Sequence, residues 1–439
     1  MLNLTKRSRA YLLLPALLAA AALAGPAWAD EAPAINGADT TWVLISSALV
    51  LLMTPGLALF YGGMVRTKNV LSSMMHSFMA MGVMTLFWVI IGYSLAFSEG
   101  GPFVGGFSYA LLHGVANDVA WPGYTIPHSL FMIFQMMFAI ITPALISGSI
   151  AERLKFSTYC VFITLWGLLV YAPVCHWVWA GDGWLFKMGA LDFAGGTVVH
   201  ISSGVSALAL TLVLGRRIGF PHSAMKPHNL TMTVLGAGIL WFGWFGFNGG
   251  SALAANATGV NAFVVTHIAA ATAAVTWCII EALHRGKASA LGFASGAVAG
   301  LVGITPACGF VDVSGALGIG VTVALICYGA VVMKGRFGYD DSLDAFGVHG
   351  VGGTWGAIAT GIFCVTSMTA DHAGGLLDAG NVGRVWVQVI GAAATFGYAF
   401  VVTFVLARIL DATMGLRVTE EEERMGLDLS AHGETGYDM

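Results

Sequence analysis

The chain has 439 residues, of which 57% are hydrophobic and 10% are charged, whereas about a quarter of the residues in soluble globular proteins are charged. This composition excludes an ordinary soluble domain and indicates an integral membrane protein. The formal net charge is only −4, so neither a basic surface for nucleic acid nor an acidic solvating chain is expected.

The first 29 residues have the layout of a secretory signal peptide. Three basic residues near the start precede an apolar run over residues 11–23, and a small-x-small cleavage site ends at Ala29. We expect cleavage of residues 1–29 and a mature chain that begins near Asp30, outside a bacterial inner membrane. An uncleaved first helix is the alternative, but the apolar run is shorter than the roughly 20 residues that a spanning helix needs.

Hydropathy predicts an all-α membrane domain over residues 30–411, followed by a tail over residues 412–439. Eleven apolar segments are expected to cross the membrane. Their approximate ranges are 42–62, 71–97, 127–150, 157–178, 195–214, 229–247, 260–283, 288–304, 313–333, 346–366 and 385–411. The shortest, residues 288–304, has a re-entrant element as its alternative.

The distribution of Lys and Arg predicts the topology, because cationic loops resist translocation. With the mature N-terminus outside, the loops on the cytoplasmic side collect nearly all the cations. These are Arg66, Lys68, Arg153, Lys155, Arg216, Arg217, Lys226, Arg285, Lys287, Lys334, Arg336, Arg408, Arg417 and Arg424. Only Lys187 and Arg384 fall outside. The asymmetry requires every segment to cross, so the prediction is N-out and C-in, with a periplasmic N-terminus and a cytoplasmic tail.

Aromatic residues cluster at the predicted outer ends of several spans. Phe138 lies in the third span, Trp179 follows the fourth, and Phe247 stands one turn before Ser251 at the end of the sixth. Aromatic residues at span ends usually form an interfacial belt or pack in the core. The alternative is a site whose π faces attract a small cation, with the Ser251 hydroxyl as hydrogen-bond acceptor.

Two histidines lie in otherwise apolar spans. His200 is in the fifth span and His349 in the tenth, and each has small residues one turn away on both sides. Ionisable groups inside a membrane are costly, so each is a functional candidate, although a lone histidine is more often a packing residue. Small neighbours let helices approach closely, and the equivalent placement indicates an inverted 5+5 repeat around a midplane site, plus a C-terminal helix.

Asp192 and His267 are two further polar candidates in or next to the spans. Asp192 opens the fifth span, where a carboxylate caps the first-turn amides and can also stabilise a nearby cation. A metal site at the two histidines would need further ligands, and His267 is the nearest by type but has no supporting spacing. No metal and no cofactor is expected.

At these residues the sequence resembles the bacterial ammonium transporters of the Amt/Mep/Rh family, over essentially the whole mature chain. The matching stretches are LALFYGGMVRTKNVLS (57–72), DFAGGTVVH (192–200), KPHNL (226–230), WFGFNGGS (244–251), GITPACGFV (303–311), FGVHG (346–350) and a tail that begins GLRV. The resemblance implies a channel-like transporter of ammonium and ammonia, not an enzyme.

Carried over residue by residue, the resemblance implies three features of a pore. The first is an outer cation site of Trp179, Ser251 and Phe138, below which Phe138 and Phe247 form a gate. The second is a pair of histidines, His200 and His349, supported by Asp192. The third is a lumen lined by Leu57, Phe60, Leu145, Leu240, Trp244 and Ala345. Ala345 is smaller than the branched residue of the family at this position, and Asp182 and Lys187 near the outer mouth have no family counterpart.

The resemblance also implies a homotrimer with one pore in each subunit and a block of the pore by a PII-type signalling protein from the cytoplasm. The tail carries Glu420 to Glu423 and is predicted to be either solvated or docked for regulation. The lipid bilayer and ammonium are the other expected partners, and no nucleic acid is expected.

The transported species can be predicted from energies. An intact cation in an apolar channel faces a desolvation penalty of order ten kcal/mol or more. Deprotonating an amine whose pKa lies about two to three units above ambient pH costs only roughly 3 to 4 kcal/mol. We therefore expect NH4+ to lose its proton near the gate and to cross as NH3, with separate proton transfer along the histidines as an open alternative.

Three other functions compete with this prediction. An ammonium sensor would need an appended signalling domain, and the tail is short. A general gas channel, as in Rh-like relatives, should lack the cation site that Trp179 and Ser251 would form. A membrane metalloenzyme would need clustered ligands such as repeated Glu-x-x-His motifs, which do not occur.

Overall fold

Long helices make up most of the computed structural model, which describes residues 34–437. Nine helices in this part of the chain are long and apolar enough to cross a membrane. They are α1 (Gly37–Met64), α2 (Thr67–Phe97), α3 (His128–Ile150), α4 (Phe156–Met188), α5 (Gly196–Leu214), α6 (Leu230–Ala252), α7 (Ala257–Arg285), α9 (Val313–Phe337) and α11 (Val382–Thr413). Within the same residues there are isolated β-bridges but no strands.

Two shorter helices occupy the remaining predicted spans. Helix α8 (Ala290–Ile304) has 15 residues and is therefore about 22 Å long, against about 30 Å of hydrocarbon in a bilayer. Helix α10 begins with a π-helical turn, Phe346–Gly350, and continues as Val351–Phe363. Each of the eleven predicted segments thus coincides with a helix, while the number that cross and the orientation remain predictions. The predicted signal peptide, residues 1–29, lies outside the described residues.

Side-chain caps explain why several helices begin where they do. A helix leaves its first N–H groups without partners, and Asn, Asp or Ser at the preceding position accepts from them. Six helices start after such a residue, namely Asn36, Asn229, Asn256, Ser289, Asp312 and Asn381. These polar residues interrupt the apolar pattern close to the span boundaries that hydropathy predicted.

Helix α3 lies at the centre of the bundle and α11 at its edge. In the most apolar stretch of α3, 89% of the residues are buried, against 33% in α11. Helix α5 is almost as enclosed as α3, at 83%. The residues of α3 and α5 therefore face protein on nearly all sides, which makes these helices the natural wall of an internal site.

Five of the helices contain a π-helical turn, which adds one residue to the normal repeat and is frequent at functional sites. The turns are Trp88–Gly92 in α2, Gly167–Tyr171 in α4, Gly196–Ile201 in α5, Phe245–Gly249 in α6 and Phe346–Gly350 in α10. Those in α5, α6 and α10 hold His200, Phe247 and His349. Hydropathy does not report helical register, so the sequence analysis did not predict them.

The tail is docked against the loops at one end of the bundle, while a regulatory role for it remains a prediction. It forms two short helices, α12 (Glu420–Met425) and α13 (Leu427–His432). The Asp428 carboxylate accepts a hydrogen bond from the Ser72 N–H at 2.8 Å. The Asn69 side chain accepts one from the Leu427 N–H at 2.8 Å. Both contacts are buried, so the tail is part of the folded domain.

Among the buried and partly buried charges at the same end of the bundle, Arg66, Glu152, Arg217 and Asp340 are joined by ion pairs, and we call these four residues the loop ion cluster. Arg217 lies 3.0 Å from Glu152 and 2.8 Å from Asp340, and Arg66 lies 2.9 Å from Glu152. The four residues come from four different loops or helix ends. The cluster therefore ties the loops after α1, α3, α5 and α9 to one another.

Candidate functional site

The two histidines of the sequence analysis meet at the interface of α5 and α10. Their Nδ1 atoms are 3.3 Å apart, and their ring planes are inclined by only 21°. Both rings are buried, with 1% and 4% of their surface exposed for His200 and His349. A neutral imidazole has one donor and one acceptor nitrogen, so the contact requires one ring to donate and the other to accept.

Glycines make the close approach of α5 and α10 possible. A Cβ atom at Gly204 would lie 2.0 Å from the backbone nitrogen of Gly350, and one at Gly353 would lie 2.7 Å from Cβ of His200. The first neighbour is backbone, which cannot move without shifting the helix. The predicted small residues one turn after each histidine are therefore required by the packing of the two helices.

Asp192 caps the first turn of α5, as predicted. Its carboxylate accepts hydrogen bonds from the backbone N–H groups of four successive residues, 195–198, at 2.6 to 3.2 Å. Charge-assisted bonds of this kind are stronger than neutral ones and favour a carboxylate at the positive end of a helix. Asp192 thus fixes the π-helical turn that carries His200.

Asp341 occupies the corresponding place before α10, a feature that the sequence analysis missed. It precedes His349 by the same number of residues as Asp192 precedes His200, and it accepts from the N–H groups of Ala345 (3.1 Å) and Phe346 (2.8 Å). Burial raises the pKa of Asp341 to about 6. The matching separation could have been found in the sequence, and it is in keeping with the predicted inverted repeat.

Of the three aromatic residues predicted for the outer site and the gate, Phe138 contacts both of the others, Trp179 and Phe247. The rings of Phe138 and Phe247 have centroids 4.4 Å apart, and Phe138 makes an edge contact with Trp179 at 5.8 Å. The indole N–H of Trp179 donates to the backbone oxygen of Asp192 at 2.9 Å. Phe247 also stacks on His200, with centroids 6.0 Å apart. An unbroken series of rings therefore leads from Trp179 to the histidine pair.

Ser251 lies one turn beyond Phe247, at the end of α6. Its hydroxyl donates to the backbone oxygen of Phe247 at 2.8 Å. Because the single hydroxyl hydrogen is used in this bond, the oxygen lone pairs remain as acceptors. The oxygen can therefore accept a hydrogen bond, while the part of Ser251 in a cation site remains a prediction.

An internal cavity begins beneath Phe247. It is lined by Met53, Leu57, Phe60, Ile141, Leu145, Val199, His200, Leu240, Trp244, Phe247, Val298 and His349. Five of the six residues predicted for the lumen are among these. The histidines are the ionisable groups of this wall, and Nε2 of His200 is buried without a hydrogen-bond partner in the described part of the chain.

A second cavity continues on the far side of His349. It contains the sixth predicted lumen residue, Ala345, and includes the polar side chains of Tyr61, Asp344 and Ser295. The two cavities share Phe60, Val298 and His349 as wall residues. His349 therefore stands between an apolar chamber and a more polar one.

Comparison with known proteins identifies this arrangement. A model of the Ammonium Transporter Family matches residues 41–437. The chain belongs to the Ammonium Transporter Family. It is similar to an ammonium transporter of Bacillus subtilis (strain 168), with 51% identity over 400 residues that cover 91% of this chain and 98% of the relative. It is also similar to the ammonium transporter Amt1 of Archaeoglobus fulgidus, with 47% identity over 404 residues that cover 92% of this chain and 100% of the relative.

Solved structures show the same fold. The crystal structure of Candida albicans Mep2 superimposes with a TM-score of 0.84 at 36% identity and covers 92% of this chain and 91% of Mep2. A structure titled "Sensor Amt Protein" superimposes with a TM-score of 0.83 at 29% identity and covers 90% of this chain and 98% of that one. The chain is therefore a multi-pass membrane protein with the fold of the ammonium transporters.

Two residues for which the sequence analysis found no family counterpart lie apart from the ring series. The Asp182 carboxylate accepts from the Gly100 N–H at 2.9 Å and lies 3.3 Å from a ring nitrogen of His176. Lys187 is exposed on the short helix Trp184–Met188. Asp182 thus holds a loop in place, and Lys187 has solvent around it.

His267, the further histidine considered for a metal site, is not near the pair. Its ring packs against Trp241 and Phe245, with centroids 5.3 and 6.1 Å away. Among residues 34–437, no group of three or more His, Cys, Asp and Glu side chains could hold a metal ion.

Four wall residues of the first cavity were not predicted, namely Met53, Ile141, Val199 and Val298. Met53 precedes Leu57 and Phe60 at helical spacing, and Ile141 precedes Leu145 by one turn. Residues at this spacing share a helix face. In this family member, extending each predicted lumen residue by one turn would have found Met53 and Ile141.

Proposed function

We propose that this member of the Ammonium Transporter Family carries ammonium across a membrane by a channel-like route. NH4+ binds at the outer site of Trp179, Ser251 and Phe138, gives up its proton near the gate, and crosses as NH3 past His200 and His349. The observation that carries the proposal is the first cavity, an apolar chamber whose ionisable wall residues are the two histidines.

The outer site has the chemistry to hold a small cation. The ring faces of Trp179 and Phe138 attract positive charge, and the free lone pairs of Ser251 accept a hydrogen bond from an ammonium N–H. Below this site the rings of Phe138 and Phe247 close the way to the cavity. The site can therefore select a cation that sheds its hydration shell and can donate hydrogen bonds.

The cavity favours the neutral species. Its apolar wall offers no carboxylate to an ion, so an intact NH4+ would face a penalty of order ten kcal/mol, against roughly 3 to 4 kcal/mol for deprotonation. Nε2 of His200 is unpartnered and can exchange a hydrogen bond with NH3. The Nδ1 to Nδ1 contact fixes the tautomers of the pair and provides a path along which a proton could follow.

Uptake into proteoliposomes tests the proposal. Wild type should accumulate radiolabelled methylammonium and lose this uptake when ammonium is added in excess, whereas His200→Ala and His349→Ala should transport at least about tenfold more slowly because the polar wall groups are removed. His284→Ala is the matched control, since His284 bonds to Tyr328 at the end of α7. Failure of wild type to transport would overturn the function. Unchanged rates in both histidine variants would overturn the role of the pair.

Currents on solid-supported membranes then separate the two proton routes. A current evoked by ammonium in wild type, and lost in His200→Ala, supports proton transfer along the histidines. Electroneutral uptake would contradict proton transfer along the histidines and would indicate conduction of NH3 without a proton.

We further propose the setting of this transporter. It is a homotrimer in a bacterial inner membrane, with residues 1–29 removed, residues 30–411 as the membrane domain and residues 412–439 as a cytoplasmic tail that a PII-type signalling protein can meet. The resemblance of the sequence and the docked tail support this proposal. Likeness to the structure titled "Sensor Amt Protein" favours ammonium sensing as a second candidate function.

A further inference from the structure

The indole of Trp244 covers one side of His200. The two rings have centroids 5.5 Å apart and planes inclined by 22°, and Trp244 also contacts the gate residue Phe247 at 5.3 Å. Trp244 lines the first cavity and has 2% of its surface exposed. The position of this indole therefore sets the width of the cavity where it passes His200.

A buried hydrogen bond fixes the indole. Its Nε1–H donates to the hydroxyl oxygen of Thr305 at 2.9 Å. The Thr305 hydroxyl in turn has Leu301 O at 2.7 Å and Asn248 Oδ1 at 3.3 Å as acceptors. A buried N–H that loses its acceptor is costly, so this bond resists rotation of the ring.

The bond belongs to a polar chain that joins three helices. The Asn248 amide donates to the Thr266 hydroxyl at 2.8 Å, which links α6 to α7, and Thr305 follows the last residue of α8. Thr305, Asn248 and Thr266 have none of their surface exposed. Fully satisfied buried networks of this kind hold side chains in one arrangement.

The segment after α8 also supports the turn that carries His200. The backbone oxygen of Pro306 accepts from the Phe193 N–H at 3.1 Å, and a Cβ atom at Gly196 would lie 2.5 Å from the Pro306 ring. Two consecutive residues, Thr305 and Pro306, thus contact both the indole that covers His200 and the turn that carries His200. Both lie in the GITPACGFV stretch, to which the proposed function assigns no role.

We propose that Thr305 is a positioning residue that sets substrate size by holding the Trp244 indole over His200. The inference rests on the proposed function. Without the hydroxyl, the indole has no acceptor at this place and gains freedom to rotate, which widens the cavity beside His200. A larger amine gains most from the added width, so methylammonium should improve relative to ammonium.

Thr305→Val tests this directly, because valine keeps the shape and removes the hydroxyl. The ratio of the KM for methylammonium uptake to the inhibition constant of ammonium should fall about threefold or more, while Thr305→Ser should keep the wild-type ratio. Thr360→Val is the matched control. Thr360 is equally buried and its hydroxyl bonds only to Gly356 O on its own helix.

A double-mutant cycle guards against a general loss of structure. In a Trp244→Phe background there is no indole N–H to hold, so Thr305→Val should change the ratio no further. The inference is overturned if the ratio of KM to inhibition constant is the same in Thr305→Val and Thr360→Val. It is also overturned if Thr305→Val changes this ratio equally in the wild-type and Trp244→Phe backgrounds. If wild type itself does not transport, the proposed function fails instead, so the two failures are distinguishable.

Discussion

Single carboxylates hold the turns that carry the two cavity histidines. Asp192 uses its two oxygens to accept from four backbone N–H groups before His200, and Asp341 accepts from two before His349. Each aspartate therefore anchors one π-helical turn from its N-terminal side. The side chains that face the cavity depend on groups that do not line it.

Asp192→Asn should destabilise the protein and reduce transport. The amide NH2 replaces one oxygen and confronts backbone N–H groups, so about 2 kcal/mol or more of stabilisation should be lost. The thermal unfolding midpoint of the purified protein, read by tryptophan fluorescence, measures the loss. Asp312→Asn is the control, because Asp312 caps α9 mainly through one oxygen and asparagine is an equally good cap. An Asp192→Asn midpoint equal to that of Asp312→Asn would contradict the prediction.

The residue-level predictions identified the histidines and the aromatic side chains, but missed Asp341 and some apolar residues. His200, His349 and Phe138 stand out because their types are expensive or conspicuous in a membrane. Val199 and Val298 line the cavity, yet they have the composition of the surrounding core. The difference between lining and core is geometric, so residue type alone does not reveal it.

At the scale of elements, the short loops stabilise the arrangement of the helices through ion pairs with one another. The loop ion cluster joins the connections after four different helices, and its central carboxylate, Glu152, is completely buried. Burial would raise the pKa of Glu152, but Arg217 and Arg66 outweigh it and hold that pKa below its ordinary value of 4.5. The same balance with Arg217 lowers the pKa of Asp340.

These lowered pKa values predict acid sensitivity. A carboxyl whose pKa is lower in the folded state stabilises the fold above its ordinary pKa, and this contribution disappears as the pH falls below about 4.5. Glu152→Gln should reduce the free energy of unfolding at pH 7 by about 3 kcal/mol and so lower the unfolding midpoint. Below pH 5 the midpoint of this variant should fall less steeply with pH than that of wild type.

Thermal unfolding between pH 3 and pH 8 provides the measurement. Glu421→Gln, in the exposed part of the tail, is the control and should follow the wild-type curve. A Glu152→Gln curve that runs parallel to wild type over the whole range would show that the cluster does not carry the acid sensitivity.

The helical elements were predictable because twenty or so apolar residues in a row have few other structures available. The ends were displaced where a short helix continues a span, as at Trp184–Met188 beyond the predicted end at residue 178. The π-helical turns were not predictable, because one extra residue changes the helical register without changing hydropathy.

At the scale of the whole molecule, the predicted excess of cations in the cytoplasmic loops agrees with the ion pairing of a cation predicted to lie outside. Arg384, one of the two predicted outside, forms an ion pair with Asp371 and donates to Gly189 O at 3.2 Å. It is 7% exposed, so its charge is neutralised within the fold. The cationic loops at the other end include the exposed Lys287.

Cysteine labelling tests the N-out, C-in topology. Gly101→Cys, in the loop after α2, should react with a membrane-impermeant maleimide on intact cells, because this loop is predicted to be periplasmic. Lys287→Cys should react only after the membrane is opened. A Cβ atom at Gly101 meets no neighbour within 4 Å, so the substitution should be tolerated. The unsubstituted chain controls for the native cysteines, and labelling of Lys287→Cys on intact cells would reverse the topology.

The wall shared by the two cavities has a kinetic consequence. Phe60, Val298 and His349 border both chambers, so on the proposed route every molecule that moves from the first chamber to the second passes these three side chains. If these side chains admit one molecule at a time, passage is single-file and each molecule leaves in the order in which it entered. Transport would then saturate through occupancy of the inner chamber even when the outer site is in rapid equilibrium with the surrounding solution.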